Sequence, residues 1–317
     1  MDDFTDDQRP RNAFQVPHSR MCMILDEPTK VLRGRVSVVT GAGRGIGKAI
    51  SLGLARSGAD VVLLSRSKAE LETVASEVRS IGTSATVREC DVSRPEDVKI
   101  SIKETVDRYG RVDILINNAG VLGPVGPLDE NDFDGWLNAV KINLCGVFLC
   151  CKYVLPYMKS QKSGKIINVS GAGAPTPYPN FSAYSSSKTG ILGLTQTLAE
   201  ELKDFNIQVN AIAPGITNTK MQDEILSAGE LAGASYHRAK EVKEKGGVDP
   251  TKAADLAVFL SSEAANGITG RFFSARWDDW KSLGDESRLR EFVQSEMYTV
   301  RRIDGTFFAP IKRDTRK

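Results

Sequence analysis

The residues of this sequence best suited to proton transfer are a tyrosine and a lysine one helical turn apart. Tyr184 and Lys188 occur in the segment Tyr-Ser-Ser-Ser-Lys, and residues i and i+4 of a helix share one face. A free phenol has a pKa of about 10, which is too high for proton transfer at neutral pH. A neighbouring ammonium favours the phenolate and lowers that pKa, so the pair predicts a general acid and base at Tyr184.

Two further polar residues precede this pair. Ser170 follows a predicted strand and could donate a hydrogen bond to the same substrate oxygen as Tyr184. Asn143 could hold a water molecule that connects Lys188 to solvent. Tyrosine and lysine at this spacing also fit an ordinary surface helix, so the catalytic interpretation depends on all four residues occurring in this order.

Other catalytic chemistry is poorly supported. Asn168-Val169-Ser170-Gly171-Ala172 does not match the Gly-x-Ser-x-Gly pattern of a serine hydrolase. The only histidines are His18 and His237, too few for a zinc site or a histidine-based triad, so we expect no metal. The cysteines form no Cys-x-x-Cys pattern, and we expect reduced, packed thiols at Cys22, Cys90, Cys145, Cys150 and Cys151.

A glycine-rich turn follows the first predicted strand and precedes a predicted helix. Glycine lets the backbone approach a pyrophosphate closely, and the amides at the start of the helix then face the anion. The spacing Gly41-x3-Gly45-x-Gly47 differs from the familiar Gly-x-Gly-x-x-Gly. We expect this turn to bind a dinucleotide through Gly41, Gly43, Arg44, Gly45, Ile46 and Gly47.

The end of the second predicted strand predicts which dinucleotide is bound. An NAD-preferring site usually has an acidic side chain here, which binds the ribose 2′-hydroxyl. This chain has Ser65 and Arg66 instead, and Arg44 could reach the same volume. Two guanidinium groups suit a 2′-phosphate, so we predict NADP(H), with NAD(H) the less favoured alternative. Two solvated arginines are the other interpretation.

The loops after the next strands complete the predicted cofactor site. Asp91 and Val92 are placed to flank the adenine ring, and Asn118, Ala119 and Gly120 to pass close to the cofactor. The preceding residue, Asn117, fits a structural role in the sheet equally well.

Short β-branched runs alternate with amphipathic stretches over most of the chain, which predicts an α/β, Rossmann-type doubly wound parallel sheet of about seven strands with helices on both faces. The predicted strands are Val36–Thr40, Asp60–Leu64, Ala85–Cys90, Asp113–Ile116, Lys165–Val169, Gln208–Ile212 and Arg271–Ala275. The predicted helices lie near 46–57, 67–81, 95–108, 131–160, 183–204 and 250–262. Ligands bind at the carboxyl ends of such strands.

This domain is expected over residues 34–275, with residues 216–247 forming a substrate lid. Residues 1–33 form a flexible N-terminal extension, in which Met21 or Met23 could be the true start. Residues 276–317 form a C-terminal extension with a predicted helix at Glu286–Tyr298.

Composition narrows the possible partners. The chain has 42 basic and 40 acidic side chains, a net charge of +2 that gives no case for nucleic-acid binding. No apolar run reaches the roughly 18–20 residues that span a bilayer, and the first residues lack the pattern of a secretion signal. We therefore expect a cytoplasmic protein that does not bind membranes.

The segments Thr-Gly-Ala-Gly-Arg-Gly-Ile-Gly, Asn-Asn-Ala-Gly and Tyr-Ser-Ser-Ser-Lys, with Asn143, Ser170 and Pro214-Gly215, together resemble the short-chain dehydrogenase/reductase family, compact single-domain subgroup. The resemblance covers roughly residues 33–271. It implies a catalytic tetrad of Asn143, Ser170, Tyr184 and Lys188. It also implies that the nicotinamide amide is contacted by Pro214, Gly215, Ile216 and Thr217.

The resemblance further implies hydride transfer between NADP(H) and a small-molecule carbonyl or secondary alcohol, in a homodimer formed through the helices near 131–160 and 183–204. In many relatives an Ile-Thr-Gly segment leads to an Asp-Gly-Gly-like turn that helps to form a tetramer. Here Ile268-Thr269-Gly270 leads into Arg271 instead, so the sequence leaves the choice between dimer and tetramer undecided.

Two alternative functions also stay open. The first is a 3-oxoacyl-[acyl-carrier-protein] reductase. The acidic segment Ala199–Phe205 counts against it, although Lys159, Lys162 and Lys165 could compensate. The second is a non-catalytic NADP(H)-sensing regulator, which we would expect to lack Tyr184 or Lys188.

Two interpretations concern the end of the chain and the lid. Trp277 and Trp280 are expected to pin the C-terminal extension rather than to line a pocket. The lid cations Arg238, Lys240, Lys243 and Lys245 are expected to form a solvated helix face rather than to attract an anionic substrate.

Overall fold

The computed structural model describes residues 30–300 except Ala172 and Pro175, so most of the predicted N-terminal extension and residues 301–317 lie outside the described residues. Seven strands form one parallel sheet in the order β3-β2-β1-β4-β5-β6-β7, which confirms the predicted fold class. Each strand ends within one residue of its prediction. The strands are β1 Val36–Thr40, β2 Asp60–Ser65, β3 Ala85–Glu89, β4 Ile114–Asn117, β5 Gly164–Val169, β6 Ile207–Ala213 and β7 Phe272–Ser274.

Helices cover both faces of the sheet. They are α1 Gly45–Arg56, α2 Lys68–Ser80, α3 Pro95–Tyr109, α4 Phe133–Val140, α5 Gly146–Gln161, α6 Ser182–Glu201, α7 Lys220–Ser227, α8 Ala234–Lys245, α9 Thr251–Ser261 and α10 Glu286–Gln294. The strands bury both of their faces, because successive side chains alternate. Val39 packs in the core formed with α1, α2 and α9, and Val38 in the core formed with α3, α5 and α6.

The helical stretch Phe133–Gln161 joins α4 and α5 through a π-helical turn at Lys141–Cys145. Its 29 residues are long and apolar enough to cross a membrane, judged by length and composition alone. Half of its apolar window is buried within the protein. One side of α5 packs on the sheet through Val154 and Met158, as expected of a core helix.

The described part of the C-terminal extension packs back onto the sheet. Trp280 is buried against Phe259, with ring centroids 5.6 Å apart, whereas Trp277 is 67% exposed. The extension also satisfies the free edge of β7, since Phe272 N–H donates to the Tyr298 carbonyl at 2.7 Å. The pinning interpretation therefore applies to Trp280 and not to Trp277.

Candidate active site

The loops that follow the strands meet at the carboxyl edge of the sheet and enclose a cavity of about 880 Å³. Every residue predicted for the cofactor site lines this cavity, as do Ser170, Tyr184 and Lys188. Asn143 is the one predicted site residue outside the lining, because it is fully buried behind it. The structure thus brings together residues that lie as far apart in the chain as Gly41 and Thr217.

The glycine turn has the backbone that its sequence predicts. Gly41 and Gly45 have φ angles of 63° and 54°, in the left-handed region that favours glycine. A Cβ on Gly47 would collide with the Gly41 carbonyl oxygen, so the turn and the start of α1 approach as closely as backbone allows. A turn of this shape leaves the amides at the start of α1 available to a phosphate.

Asn118 holds the glycine turn in place from the neighbouring strand. Its side-chain amide donates to the carbonyl oxygens of Thr40 at 3.0 Å and Gly41 at 3.1 Å. The Thr40 hydroxyl accepts from the backbone N–H groups of Asn118 and Ala119, both at 3.0 Å. The segment after β4 therefore shapes the predicted cofactor site by fixing the turn after β1.

Asn117 has the structural role that the sequence left open. Its side-chain amide donates to Asn168 Oδ1 at 2.9 Å, and the Asn168 amide donates to the Thr195 hydroxyl at 2.9 Å. This buried chain of hydrogen bonds joins β4 and β5 to α6, the helix that carries Tyr184 and Lys188.

The end of the cavity that is predicted to hold the adenosine contains the predicted cations and one unexpected anion. Ser65, Arg66 and Arg44 all line it. The Arg44 guanidinium pairs with Glu70 at 2.8 Å, so Arg44 is not a freely solvated side chain. Near Arg66, burial raises the pKa of the Asp91 carboxyl, but hydrogen bonds from Ser93 outweigh it and leave that pKa below its ordinary value.

The segment after β6 supplies a buried polar group that fits the nicotinamide end of a dinucleotide. Gly215 has a φ of 87°, and the turn places Thr217 against the cavity with 5% of its surface exposed. Among the described atoms, Thr217 Oγ1 has no hydrogen-bond partner. A buried hydroxyl without a partner is costly, and an amide group in the cavity would satisfy it.

Tyr184 lies near the start of α6 with its hydroxyl beside the residue that follows Ser170. A Cβ on Gly171 would lie 2.5 Å from the Tyr184 hydroxyl oxygen, so this contact requires glycine. The Tyr184 ring meets that of Tyr178 edge-on, with centroids 6.2 Å apart. Burial raises the pKa of Tyr184 well above its usual value. The expected lowering by Lys188 is wrong for this structure, because desolvation of the phenolate dominates.

Lys188 shares the face of α6 with Tyr184, and its ammonium nitrogen lies 5.8 Å from the centroid of the Tyr184 ring. The nitrogen donates to the Val169 carbonyl at 2.8 Å. Burial lowers the pKa of Lys188 to about 8. The side chain is therefore poised to change charge just above neutral pH.

Ser170 and Asn143 are positioned by hydrogen bonds within the protein. The Ser170 hydroxyl donates to the Lys188 carbonyl at 2.9 Å, which ties the end of β5 to α6. Asn143 lies in the π-helical turn, accepts from Val121 N–H at 2.8 Å and donates to the Ser187 hydroxyl at 3.0 Å. Such turns are frequent at functional sites, because the extra residue redirects a side chain.

The described cysteines are free thiols, as expected, but they are not all packed. Cys90, Cys150 and Cys151 are buried, and burial raises the pKa of each thiol. Cys145 is exposed, which contradicts the expectation for that residue. The described residues contain no group of three or more side chains that could hold a metal ion.

The lysines considered for carrier docking lie at the wrong edge of the sheet. Lys162 and Lys165 flank the start of β5, opposite the edge where Ser170 follows its end. Lys165 donates to Asn266 at 2.8 Å, and burial lowers its pKa to about 8. The acidic end of α6, at Glu201, is about 25 Å from Tyr184 along the helix. Neither these lysines nor the acidic end of α6 borders the cavity. Their charges therefore count neither for nor against the docking of an acidic acyl carrier at its entrance.

Three residues of the site were not predicted from the sequence. Thr219 packs over the glycine turn, where a Cβ on Gly45 would lie 3.1 Å from its methyl group. Tyr178 stacks on Phe181 with ring centroids 4.3 Å apart and lines the cavity beside Tyr184. Glu70 belongs to a Ser-x-x-Glu pattern at the start of α2, which predicts a helix cap and gave no signal of a place in the site.

A parallel sheet with a glycine turn after β1 and a cavity at its carboxyl edge defines a Rossmann-type nucleotide-binding protein. Residues 35–229 match the family model of the short chain dehydrogenases. The chain therefore belongs to the short-chain dehydrogenase/reductase family, whose members are oxidoreductases that act on CH–OH and C=O groups with nicotinamide cofactors.

Curated relatives cover most of the chain. A 3-oxoacyl-[acyl-carrier-protein] reductase of Synechocystis is 35% identical over 245 residues, 77% of this chain and 96% of that protein. A 3-oxoacyl-[acyl-carrier-protein] reductase of Thermotoga maritima is 34% identical over 243 residues, which cover 76% of this chain and 95% of that protein.

Solved structures agree with the fold. An NAD⁺-bound xylitol dehydrogenase has a TM-score of 0.72 and 30% identity, and the match covers 77% of this chain and 98% of that one. An actinorhodin polyketide ketoreductase with NADPH has a TM-score of 0.70 and 31% identity, over 76% of this chain and 95% of that one.

Proposed function

We propose that this protein is an NADP(H)-dependent oxidoreductase of a carbonyl or secondary alcohol, with Tyr184 as the general acid and base. The observation that carries this proposal is the convergence of Tyr184, Lys188 and Ser170 on the cavity that the glycine turn borders. The alternative of a non-catalytic sensor has no support from these residues, because both Tyr184 and Lys188 are present and face the same cavity.

The bound nicotinamide supplies or accepts the hydride. Tyr184 donates a proton to the carbonyl oxygen during reduction, or accepts one from the alcohol during oxidation. Lys188 provides a positive charge beside the phenol, and this charge stabilises the phenolate that remains after the proton has left. Ser170 holds the substrate oxygen in reach of Tyr184 once its hydroxyl turns from the Lys188 carbonyl into the cavity.

The raised pKa of Tyr184 keeps the side chain in the phenol form, which is the form that donates a proton during reduction. Because burial disfavours the phenolate, Tyr184 is protonated at neutral pH and is ready to act as an acid. The cavity lining includes Leu122, Met221, Tyr178 and Ile225, which belong to the same hydrophobic cluster as Tyr184. These neighbours favour a carbonyl compound with an apolar substituent.

The preference for NADP(H) is supported by side chains at the adenosine end. The residues that follow β2 include no acid directly after the strand, and Ser65, Arg66 and Arg44 offer donors there. The likeness to a ketoreductase solved with NADPH agrees with this assignment, and the likeness to an NAD⁺-bound dehydrogenase makes a direct comparison of the two cofactors necessary.

A 3-oxoacyl thioester on an acyl carrier is the second candidate substrate, because two curated relatives at 34% and 35% identity carry that activity in their names. Kinetics separate the candidates. A carrier-dependent enzyme should reduce a carrier-bound 3-oxoacyl group far more efficiently than the same group on a small thiol. Equal efficiency would favour a free small-molecule substrate.

We also propose a homodimer in the cytoplasm, formed through α4, α5 and α6. Phe133 and Phe148 leave 70% and 50% of their surfaces exposed along this helical face. The edge of β7 is a poor second interface, since Phe272 and Ser274 already donate their outward N–H groups to Tyr298 and Asp278. Light scattering should report two subunits; a tetramer would contradict this assembly.

Carbonyl reduction by a Tyr184→Phe variant tests the catalytic proposal. NADPH consumption is measured with a panel of ketones and 3-oxoacyl thioesters, and the variant is expected to lose roughly 10²–10⁴-fold in kcat/KM. NADPH binding, followed by fluorescence, should persist. Tyr157→Phe, on α5, is the matched control. Turnover by Tyr184→Phe at the wild-type rate would refute the assignment.

A further inference from the structure

Glu70 occupies an unusual position at the adenosine end of the cavity. Its side chain crosses the glycine turn so closely that a Cβ on Gly43 would lie 2.8 Å from Glu70 Cβ and 3.1 Å from its carboxylate. The same carboxylate accepts from the Arg44 guanidinium at 2.8 Å. Because Gly43 has no side chain, Glu70 can reach Arg44, the arginine that is expected to bind a 2′-phosphate.

The local sequence would ordinarily use Glu70 differently. Ser67-x-x-Glu70 is the pattern of a capping box, in which the glutamate accepts from the backbone N–H of the serine. Only half of that motif forms, since the Ser67 hydroxyl accepts from Glu70 N–H. The Ser67 N–H donates instead to the Ser65 hydroxyl at 3.2 Å. Glu70 is thereby released from its capping role and pairs with Arg44.

Two pairs of groups at this end of the cavity are therefore joined by contacts that a phosphate would disrupt. Ser65 and Arg44, both predicted phosphate donors, are engaged by Ser67 and Glu70. The Glu70 carboxylate also adds a negative charge where a 2′-phosphate, itself dianionic, would need cations. The ion pair is partly exposed, with 52% of the Arg44 side chain and 38% of Glu70 accessible, so it can be broken.

We propose that Glu70 competes with the cofactor 2′-phosphate for Arg44 and so limits the preference of this protein for NADP(H) over NAD(H). This inference rests on the proposed NADP(H) site. When Ser65 turns to a phosphate, the Ser67 N–H becomes free, and Glu70 can complete the capping box. Glu70 is thus a specificity-determining residue with two alternative partners, Arg44 and the Ser67 N–H.

Nucleotide binding to the protein without turnover tests this role. Adenosine 2′,5′-bisphosphate and 5′-AMP carry the adenosine end with and without the 2′-phosphate, and calorimetry gives the Kd of each. Glu70→Gln keeps the shape of the side chain but removes its charge. The variant should bind the bisphosphate about fivefold more tightly, as expected for the loss of one exposed ion pair, with 5′-AMP unchanged. Glu72→Gln, which removes the acid paired with Arg79 on the same helix, should change neither Kd.

A second background isolates the competition for the guanidinium. In an Arg44→Gln protein, Glu70→Gln should give little gain, because the group for which Glu70 competes is gone. The proposal would be overturned if Glu70→Gln tightened bisphosphate binding by the full amount in the Arg44→Gln protein. It would also be overturned if the single Glu70→Gln variant bound the bisphosphate no more tightly than the wild-type protein. Failure of the wild-type protein to bind either nucleotide would overturn the cofactor assignment and this inference together.

Discussion

Replacing Lys188 by methionine should make the protein more stable at neutral pH while it abolishes the predicted chemistry. The Lys188 ammonium is buried, and its pKa falls from 10.5 to about 8. At 1.36 kcal/mol for each pKa unit, holding this charge in the folded protein costs about 3 kcal/mol. Methionine removes that cost, but leaves the Val169 carbonyl without its donor at about 1 kcal/mol. The net gain is about 2 kcal/mol at pH 7.

The sign of the pH dependence makes this prediction specific. Between about pH 8 and 10.5 the unfolded chain binds a proton at Lys188 that the folded protein does not, so the wild-type protein gains stability as the pH rises. Lys188→Met cannot show this gain. The stability advantage of the variant should therefore shrink by about 2 kcal/mol between pH 7 and pH 9.5.

Urea unfolding of both proteins at the two pH values measures this difference. Lys252→Met, which removes an exposed lysine from α9, controls for the general effect of losing one positive charge. The same Lys188→Met preparation should show no measurable carbonyl reduction. A stability difference that does not change with pH, or a variant less stable than wild type at pH 7, would refute a buried, destabilising ammonium.

Three further predictions concern the site. As the pH rises through about 8, Lys188 loses its charge, and kcat/KM for reduction should fall in a pH–rate profile; a flat profile to pH 9.5 would contradict the need for the ammonium. Arg66→Asp should shift the ratio of catalytic efficiencies towards NAD(H), and an unchanged ratio would remove Arg66 from the cofactor site. Asn118→Ala should lower the free energy of unfolding by about 1–3 kcal/mol in urea titrations, because Thr40 and Gly41 lose a donor; unchanged stability would contradict that role.

The sheet and the cavity lining could be predicted because both follow from local sequence. Most strands are short runs rich in β-branched residues, such as Val36–Thr40, and parallel strands bring the residues after their carboxyl ends to one edge. The i, i+4 relation of Tyr184 and Lys188 needed only the helix period, and the structure has both on the face of α6 that meets the cavity.

Burial and side-chain pairing could not be predicted in this way. The pKa of Tyr184 was expected to fall because a lysine is near, but its direction depends on desolvation, which only the packed structure reveals. The Glu70–Arg44 pair joins α2 to the glycine turn, and no local pattern indicates that Ser65 displaces Glu70 from its cap.

The exposure of Cys145 shows where a better sequence argument was available. The apolar neighbours of Cys145 suggested a packed thiol. The helix period instead places Cys145 on one stripe with Lys141, Phe148 and Lys152, all exposed in the structure. Two charged residues on that stripe were a signal that the face is not part of the core.

Transfer of deuterium from the cofactor to the substrate tests the central claim most directly. The protein is incubated with NADPH that carries deuterium at both nicotinamide C4 positions and with the best carbonyl substrate of the panel, and the alcohol is examined by mass spectrometry. We predict one deuterium per alcohol molecule on the former carbonyl carbon, and roughly 10²–10⁴-fold slower formation of labelled alcohol by Tyr184→Phe. An unlabelled alcohol, or formation of labelled alcohol by the variant at the wild-type rate, would contradict hydride transfer assisted by Tyr184.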